Sequence, residues 1–196
     1  MSDLLIQKIK EYVELKDEDF LLLEKYFQKK TMAKGDFLFR EGDAVHHAIF
    51  VNSGLIRTFI IDEQGTEHIL QFALPGWWTG DLGSFISGAP TKFFVEALEN
   101  SEVLSISKQS WDELLDKAPF YLDYHRKLLE RGLVAIQNRL LETFSTDASQ
   151  KYQQLMETFP DILQRVPLYM IASYLGMSRE TLSRVRNQMV KKKQIE

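Results

Sequence analysis

Five residues near the C-terminal end, Arg179, Glu180, Ser183, Arg184 and Asn187, recur at the spacing of one helix face. Guanidinium groups so placed can reach guanine edges or phosphates, and a carboxylate can accept from a cytosine amino group. Other chemistry has fewer candidates. His46, His47 and His68 invite a metal site of the clustered His and Glu kind. Adjacent His46 and His47 point to opposite faces of any strand that holds them, so at most one can serve an interior. Trp77, Trp78, Phe93 and Phe94 suit a core or the lining of a small apolar cavity. With no cysteine, disulfides, thiolate catalysis and cysteine-held iron–sulfur clusters are excluded. A P-loop, a GxSxG turn and a convincing carboxylate pair are all missing, so no enzyme activity is expected and no metal is assigned.

The stretch 166–189, VPLYMIASYLGMSRETLSRVRNQM, positions the polar five. Pro167 suits the first turn of a helix, where its missing N–H is no loss. Leu168, Ile171, Ala172 and Leu175 then recur at helical spacing. Gly176 follows, a residue that ends a helix in the left-handed region at little cost. Ser178 can cap a second helix by accepting from its free N–H groups. In that helix Leu182, Val185 and Met189 turn inward and the polar five outward. Two short helices joined by a glycine turn form a helix-turn-helix pattern, with Ala172 where the helices cross closely. An ordinary helical hairpin with a solvated face has the same spacing. The coincidence of small residue, glycine turn, cap and outward Arg-Glu pair favours the first reading.

The chain is 44% hydrophobic and 27% charged over 196 residues, enough for one large or two small globular domains. Its net charge of −4 argues at first against a nucleic-acid partner. The distribution reverses that inference. Residues 161–196 hold seven Lys or Arg against three acidic residues, a net +4, so the remainder carries −8. A basic end on an acidic body is the footprint of a duplex-binding module attached to something else. Lys191 and Lys192, with Lys193, add phosphate-binding charge just beyond the second helix. The N-terminal segment is amphipathic and charged rather than a signal peptide, and no apolar run is long enough to span a bilayer. A soluble, cytoplasmic protein is expected.

Residues 3–30 read as one or two short helices, with Leu4, Leu5, Ile9 and Val13 on one stripe, Phe20, Leu23 and Phe27 on another, and Asp17 as a cap. Between Lys34 and Ser107 the pattern changes to short β-branched and aromatic runs separated by glycines: 37–40, 48–51, 55–61, 68–74, 93–98 and 102–107. Asp62-Glu63-Gln64-Gly65 looks like a hairpin turn. Many short strands with regular turn signals indicate a β-sandwich, jelly roll or small barrel. A short helix closed by Pro119 follows, and then a long one over 120–143. In it Leu122, Leu129 and Ile136 are seven apart, and Arg126, Leu133 and Leu140 fall four after each. That alternation is a coiled-coil seam, although a helix buried wholly in its own domain has a similar pattern. Tyr121, Tyr124, Leu128 and Leu141 widen the apolar surface, so one side can cover the β domain while the seam meets another helix. The small polar run 144–150 reads as a hinge, and 152–159 as a further helix.

In this order the elements resemble the Crp/Fnr family of bacterial transcription regulators. The segment GDFLFREGDAVHHAIFVNSGLIRTFIIDEQGTE (35–67) is similar to the family's opening β-roll, GDLGSFISG (80–88) to the start of its phosphate-binding cassette, and SRETLSR (178–184) to the start of its recognition helix. The resemblance covers nearly the whole chain. It implies an α+β fold: an N-terminal β jelly-roll (double-stranded β-helix) sensor domain at 1–118, a long dimerisation helix at 119–144, and a helix-turn-helix domain at 145–196. It implies a cassette at Gly80, Asp81, Leu82, Gly83, Ser84, Thr91 and Lys92. In cyclic-nucleotide-binding members a Glu holds the ribose, and an Arg and a small hydroxyl residue hold the cyclic phosphate. Here those positions are Asp81, Thr91 and Lys92. A buried phosphate without its guanidinium loses a charge-assisted partner. On a strand, Lys92 would also face away from Thr91. No cyclic nucleotide is therefore expected, and no cofactor is assigned. The family usually follows its recognition helix with a β-hairpin wing; no full wing is expected here, and either the wing's phosphate contacts are missing or Lys191–Lys193 stand in for them.

The expected function is that of a homodimeric, sequence-specific regulator that binds double-stranded DNA, with RNA polymerase and a small-molecule effector as further partners and no membrane. The alternative is a ligand-binding or protein-interaction module of the same fold without DNA recognition. The seam Leu122, Leu129, Leu133, Ile136 and Leu140 would pair the subunits. Ser178, Arg179, Glu180, Ser183, Arg184, Asn187, Lys191 and Lys192 would meet DNA.

Overall fold

A computed structural model describes residues 2–145 and 147–193, with the side chains of 145 and 190–193 left aside. Two compact units emerge, Met1–Ile60 with Leu70–Arg131, and Ile61–Ile69 with Gly132–Glu196.

The first unit opens with α1 (Asp3–Lys10) and α2 (Asp17–Tyr26). Leu5, Ile9, Leu23 and Tyr26 turn inward from them. Asp17 is the first helical residue of α2 rather than its cap; Asp19 Oδ2 accepts from the Lys16 N–H at 2.8 Å instead. The strands follow as β1 (Gln28–Met32), β2 (Phe37–Phe39), β3 (His47–Ser53), β4 (Ile56–Ile61), β5 (Glu67–Ala73) and β6 (Trp78–Thr79). After α3 (Leu82–Ser87) come β7 (Phe94–Ala97) and β8 (Ser101–Ser107). They form two four-stranded sheets, in the orders β1-β8-β3-β6 and β2-β7-β4-β5. The ladders β1–β8, β3–β8, β3–β6, β2–β7 and β4–β7 are antiparallel. Six strands fall where the sequence places them. β1 does not: the region read as helical to residue 30 turns into a strand at Gln28, because its backbone pairs from Gln28↔Ser105 to Met32↔Ser101. As the outer strand of its sheet, β1 exposes Gln28, Lys29, Lys30 and Thr31, and lysines on an edge discourage pairing with other chains.

Gly54 lies between β3 and β4 at φ +90°, where a Cβ would lie 2.8 Å from the Ser101 Cα. Only glycine fits there. The Asp62–Gly65 turn has Gly65 at φ +81°, as the hairpin requires.

Two helices cover this roll, α4 (Lys108–Lys117) and α5 (Pro119–Ser145). Ser107 caps α4 by accepting from the Ser110 N–H at 3.1 Å. Pro119 does not end α4; it opens α5, where a helix tolerates it. Trp111, Leu114, Tyr121 and Tyr124 join Leu5, Ile9, Phe50 and Ile106 in one apolar core. Trp78 lies edge-on to Phe50 and Trp111 at 5.5 and 5.4 Å, and its Nε1–H donates to Tyr124 Oη at 2.9 Å. The Trp78 indole and the Tyr124 phenol thus satisfy each other.

The second unit is built on α6 (Ala148–Thr158), α7 (Ile162–Arg165), α8 (Leu168–Leu175) and α9 (Arg179–Lys193). Tyr152, Leu155, Phe159, Ile162, Ile171, Leu182 and Val185 form its core. In the polar run 144–150, α5 reaches Ser145 and α6 begins at Ala148. Its polar residues cap: Asp147 Oδ1 accepts from the N–H groups of Ser149 and Gln150 at 2.8 and 2.9 Å.

Candidate nucleic-acid interface

The helix pair α8–α9 is held by local devices. Pro167 precedes α8 with an extended ψ of 146°, and Gly176 ends it at φ 65°. The N–H of Met177 closes back on the Ala172 carbonyl at 3.0 Å. Ser178 Oγ accepts from the Thr181 N–H at 3.2 Å, which opens α9. Ala172, Leu182 and Val185 are buried where the helices pack; Met189 is half-buried.

The opposite side of α9 carries two rows, each with an i, i+4 step of about 6 Å. Arg179, Ser183 and Asn187 form one row; Glu180, Arg184 and Gln188 form the other. All six are exposed and line one open surface. Ser178 is exposed at its head. Gln188 was not singled out from the sequence, although its position four after Arg184 puts it on the same face. The Glu180 carboxyl lies below the usual glutamate range, because its own backbone N–H and then the Ser178 hydroxyl stabilise the anion at the helix start. Glu180 is thus an ionised acceptor between two guanidinium donors. A helix about 10–12 Å across suits a major groove about 12 Å wide. The helix continues through Lys191, Lys192 and Lys193, whose side chains lie outside the described residues.

The cassette residues come together only in part. Asp81 caps α3: Oδ1 accepts from the Ser84 N–H at 3.1 Å, and Oδ2 accepts from Thr91 Oγ1–H at 2.7 Å. Thr91 Oγ1 in turn accepts from the Phe93 N–H at 3.0 Å. Ser84 Oγ donates to the Ala89 carbonyl at 2.5 Å and accepts from the Val45 N–H at 3.2 Å. Ser84 and Thr91 are buried, Gly80 and Asp81 half-buried, and Leu82, Gly83 and Lys92 exposed. Thr91 and Lys92 sit in the loop before β7 rather than on a strand, with Thr91 buried and Lys92 exposed.

On α5, Tyr121 and Tyr124 are buried in the core of the first unit, and Leu128 is half-buried. Leu122, Leu129, Leu133, Ile136 and Leu140 are all exposed, at 45–67%. Gly132 has nothing within 4 Å of where a Cβ would stand. His46 and His47 are exposed, and His68 Nε2 lies 2.6 Å from Asp62 Oδ2. Among the described residues, no three His, Cys, Asp or Glu are grouped to hold a metal ion. No helix among them is long and apolar enough to cross a membrane.

Residues 29–118 match the model of the cyclic nucleotide-binding domain. The transcriptional activator protein Anr of Pseudomonas aeruginosa is 29% identical over 80% of this chain and 68% of its own length. The fumarate and nitrate reduction regulatory protein of Vibrio cholerae is 29% identical over 84% and 69%. Among solved structures, FixK2 from Bradyrhizobium japonicum superposes with a TM-score of 0.70 at 19% identity, covering 85% of both chains. The catabolite activator protein of Thermus thermophilus gives 0.57 at 24% identity, covering 91% of this chain and 85% of its own. Both relatives named by sequence are regulators, and both structures share the roll and the helices that follow it. Residues 29–118 thus match a cyclic nucleotide-binding domain, and the chain, with its long helix and its terminal helix pair, is similar to these transcription regulators.

Proposed function

We propose that this chain is a homodimeric, cytoplasmic regulator that binds duplex DNA sequence-specifically through α9 and acts on RNA polymerase at promoters. One observation carries the reading: α9 buries Leu182 and Val185 and leaves Arg179, Glu180, Ser183, Arg184 and Asn187 exposed together on its other side. Bidentate donors beside an ionised carboxylate are what base-edge recognition uses. The exposed leucines of α5 supply a seam for the second subunit. A two-fold dimer then presents two copies of α9 to a near-palindromic site, with half-sites about one helical turn apart.

The roll of this regulator does not take cyclic AMP or cyclic GMP. Asp81 already accepts from Ser84 and Thr91, and the position of the phosphate-binding Arg is Thr91, itself bonded to Asp81. A cyclic phosphate there would have to displace that network without a guanidinium in exchange.

Selection of sites from a random duplex pool by the purified chain, with and without cyclic nucleotides, tests the whole reading. A single near-palindromic family of sites, bound with a steep salt dependence and indifferent to cyclic nucleotide, is expected. Recovery of no preferred sequence would sink it.

A further inference from the structure

The turn between β4 and β5 does more than close a hairpin. Ile61–Ile69 belongs to the second compact unit, together with α8 and α9. Asp62 organises the turn: Oδ1 accepts from the N–H groups of Gln64 and Thr66, at 2.9 Å each, and Oδ2 pairs with His68. The His68 hydrogen bond is also the foremost of the influences that hold the Asp62 carboxyl below the usual range.

β5 is the outer strand of its sheet, so alternate residues turn their N–H and C=O groups away from β4. At residues 67 and 69 those groups meet α8. Ser173 Oγ donates to the Glu67 carbonyl at 2.8 Å and accepts from the Ile69 N–H at 2.9 Å. One hydroxyl thus does for this edge what a neighbouring strand residue would do with two backbone groups. The next residue of α8, Tyr174, is gripped from α5: the Arg139 guanidinium stands 4.5 Å from its ring centroid, and Nη2 donates to its carbonyl at 3.4 Å. Consecutive residues of the first helix of the pair are therefore tied to two different elements.

We propose that Ser173 is a latch through which the β4–β5 hairpin governs the α8–α9 pair. While the latch is made, α8 is held in place and α9 is presented in one orientation. When the turn at Asp62 is disturbed, Glu67 and Ile69 shift off the hydroxyl and the pair opens more often. Anything that binds or modifies the hairpin tip is then felt at the recognition helix. The consequence for DNA rests on the function proposed above; the latch itself does not.

Amide hydrogen exchange on the full chain tests this directly, because protection reports local opening. Ser173→Ala should speed exchange at Ile69 and along α8 and α9 by about three- to tenfold, the equivalent of one ordinary hydrogen bond. Asp62→Ala, far from α8 in sequence, should speed α8 and α9 similarly, and the double variant should be no faster than Ser173→Ala. Ser173→Thr, which keeps the hydroxyl, should restore protection. Acceleration confined to Ile69, or effects of the two variants that simply multiply, would overturn the latch. On a duplex selected by the wild-type chain, Ser173→Ala should bind three- to tenfold more weakly and Ser173→Thr normally; equal binding by Ser173→Ala would also overturn it. A wild-type chain that bound no duplex would refute the DNA reading instead, and the exchange pattern would still decide the latch.

Discussion

Replacing Leu133 by Glu puts the dimer seam to its most direct test. Leu133 is 59% exposed in the single chain, midway along the stripe that runs from Leu122 to Leu140. Fully burying a leucine side chain contributes about 1.5–3 kcal/mol, so covering its exposed part contributes about 1–2 kcal/mol per subunit and about 2–4 kcal/mol per dimer. At about 1.4 kcal/mol per decade, losing that contribution raises the dimer Kd by about 30- to 1,000-fold. Two carboxylates facing each other across an apolar seam push further in the same direction. The subunit itself should be untouched, because exposed helix positions tolerate substitution within about 0.5 kcal/mol and Glu is a good helix former. Sedimentation equilibrium should therefore find a monomer at low micromolar concentration, with helix content by circular dichroism equal to that of the wild type. An unchanged dimer Kd would show that the seam does not pair subunits.

Arg179→Ala should weaken binding to the selected site by about 1–3 kcal/mol per half-site while leaving non-specific binding nearly intact; neutralising Lys191, Lys192 and Lys193 should lower both together and flatten the salt slope, because phosphate contacts carry no sequence information. Competition titrations at several salt concentrations separate the two, and an unchanged site preference in Arg179→Ala would remove α9 as the reading helix. Calorimetry with cyclic AMP and cyclic GMP should show no binding, and a micromolar Kd for either would refute the proposed exclusion of cyclic nucleotides. Burial holds His125 below the usual imidazole value of 6.5, and burial first, then His46 and Lys30, does the same to His47. The unfolded chain therefore takes up these protons first, so the stability they confer is fully present above about pH 6.5 and falls as the pH drops below it. Denaturation of His125→Gln between pH 7.5 and 5 should show a shallower decline than the wild type, and parallel declines would exclude His125 as a source.

What was legible in the sequence was local. The helix pair rests on Pro167, Gly176, Ser178 and the alternation of Leu182 and Val185 with the polar five, all within 24 residues, and the structure realises each device. β1 was missed because Gln28-Lys29-Lys30-Thr31 carries no apolar alternation; only its pairing with β8, more than seventy residues away, makes it a strand. The run 144–150 is polar because caps and hinges draw on the same residues, and within it the Asp147 carboxylate accepts from the start of α6.

The functional sites divide along the same line. Gln188 continues the row of Glu180 and Arg184, so the periodicity that found its neighbours already contained it. The cassette was recognisable by resemblance, but the hydrogen bond between Thr91 and Asp81 was not, because it joins residues ten apart across a loop. Ser173 is the extreme case. Nothing in its neighbourhood distinguishes it from any serine on a helix, and its partners, Glu67 and Ile69, lie more than a hundred residues earlier. A recognition face is a property of one helix and can be read from its spacing. The proposed control of that face depends on what the helix pair touches, and it rests on the contacts of Ser173 with Glu67 and Ile69.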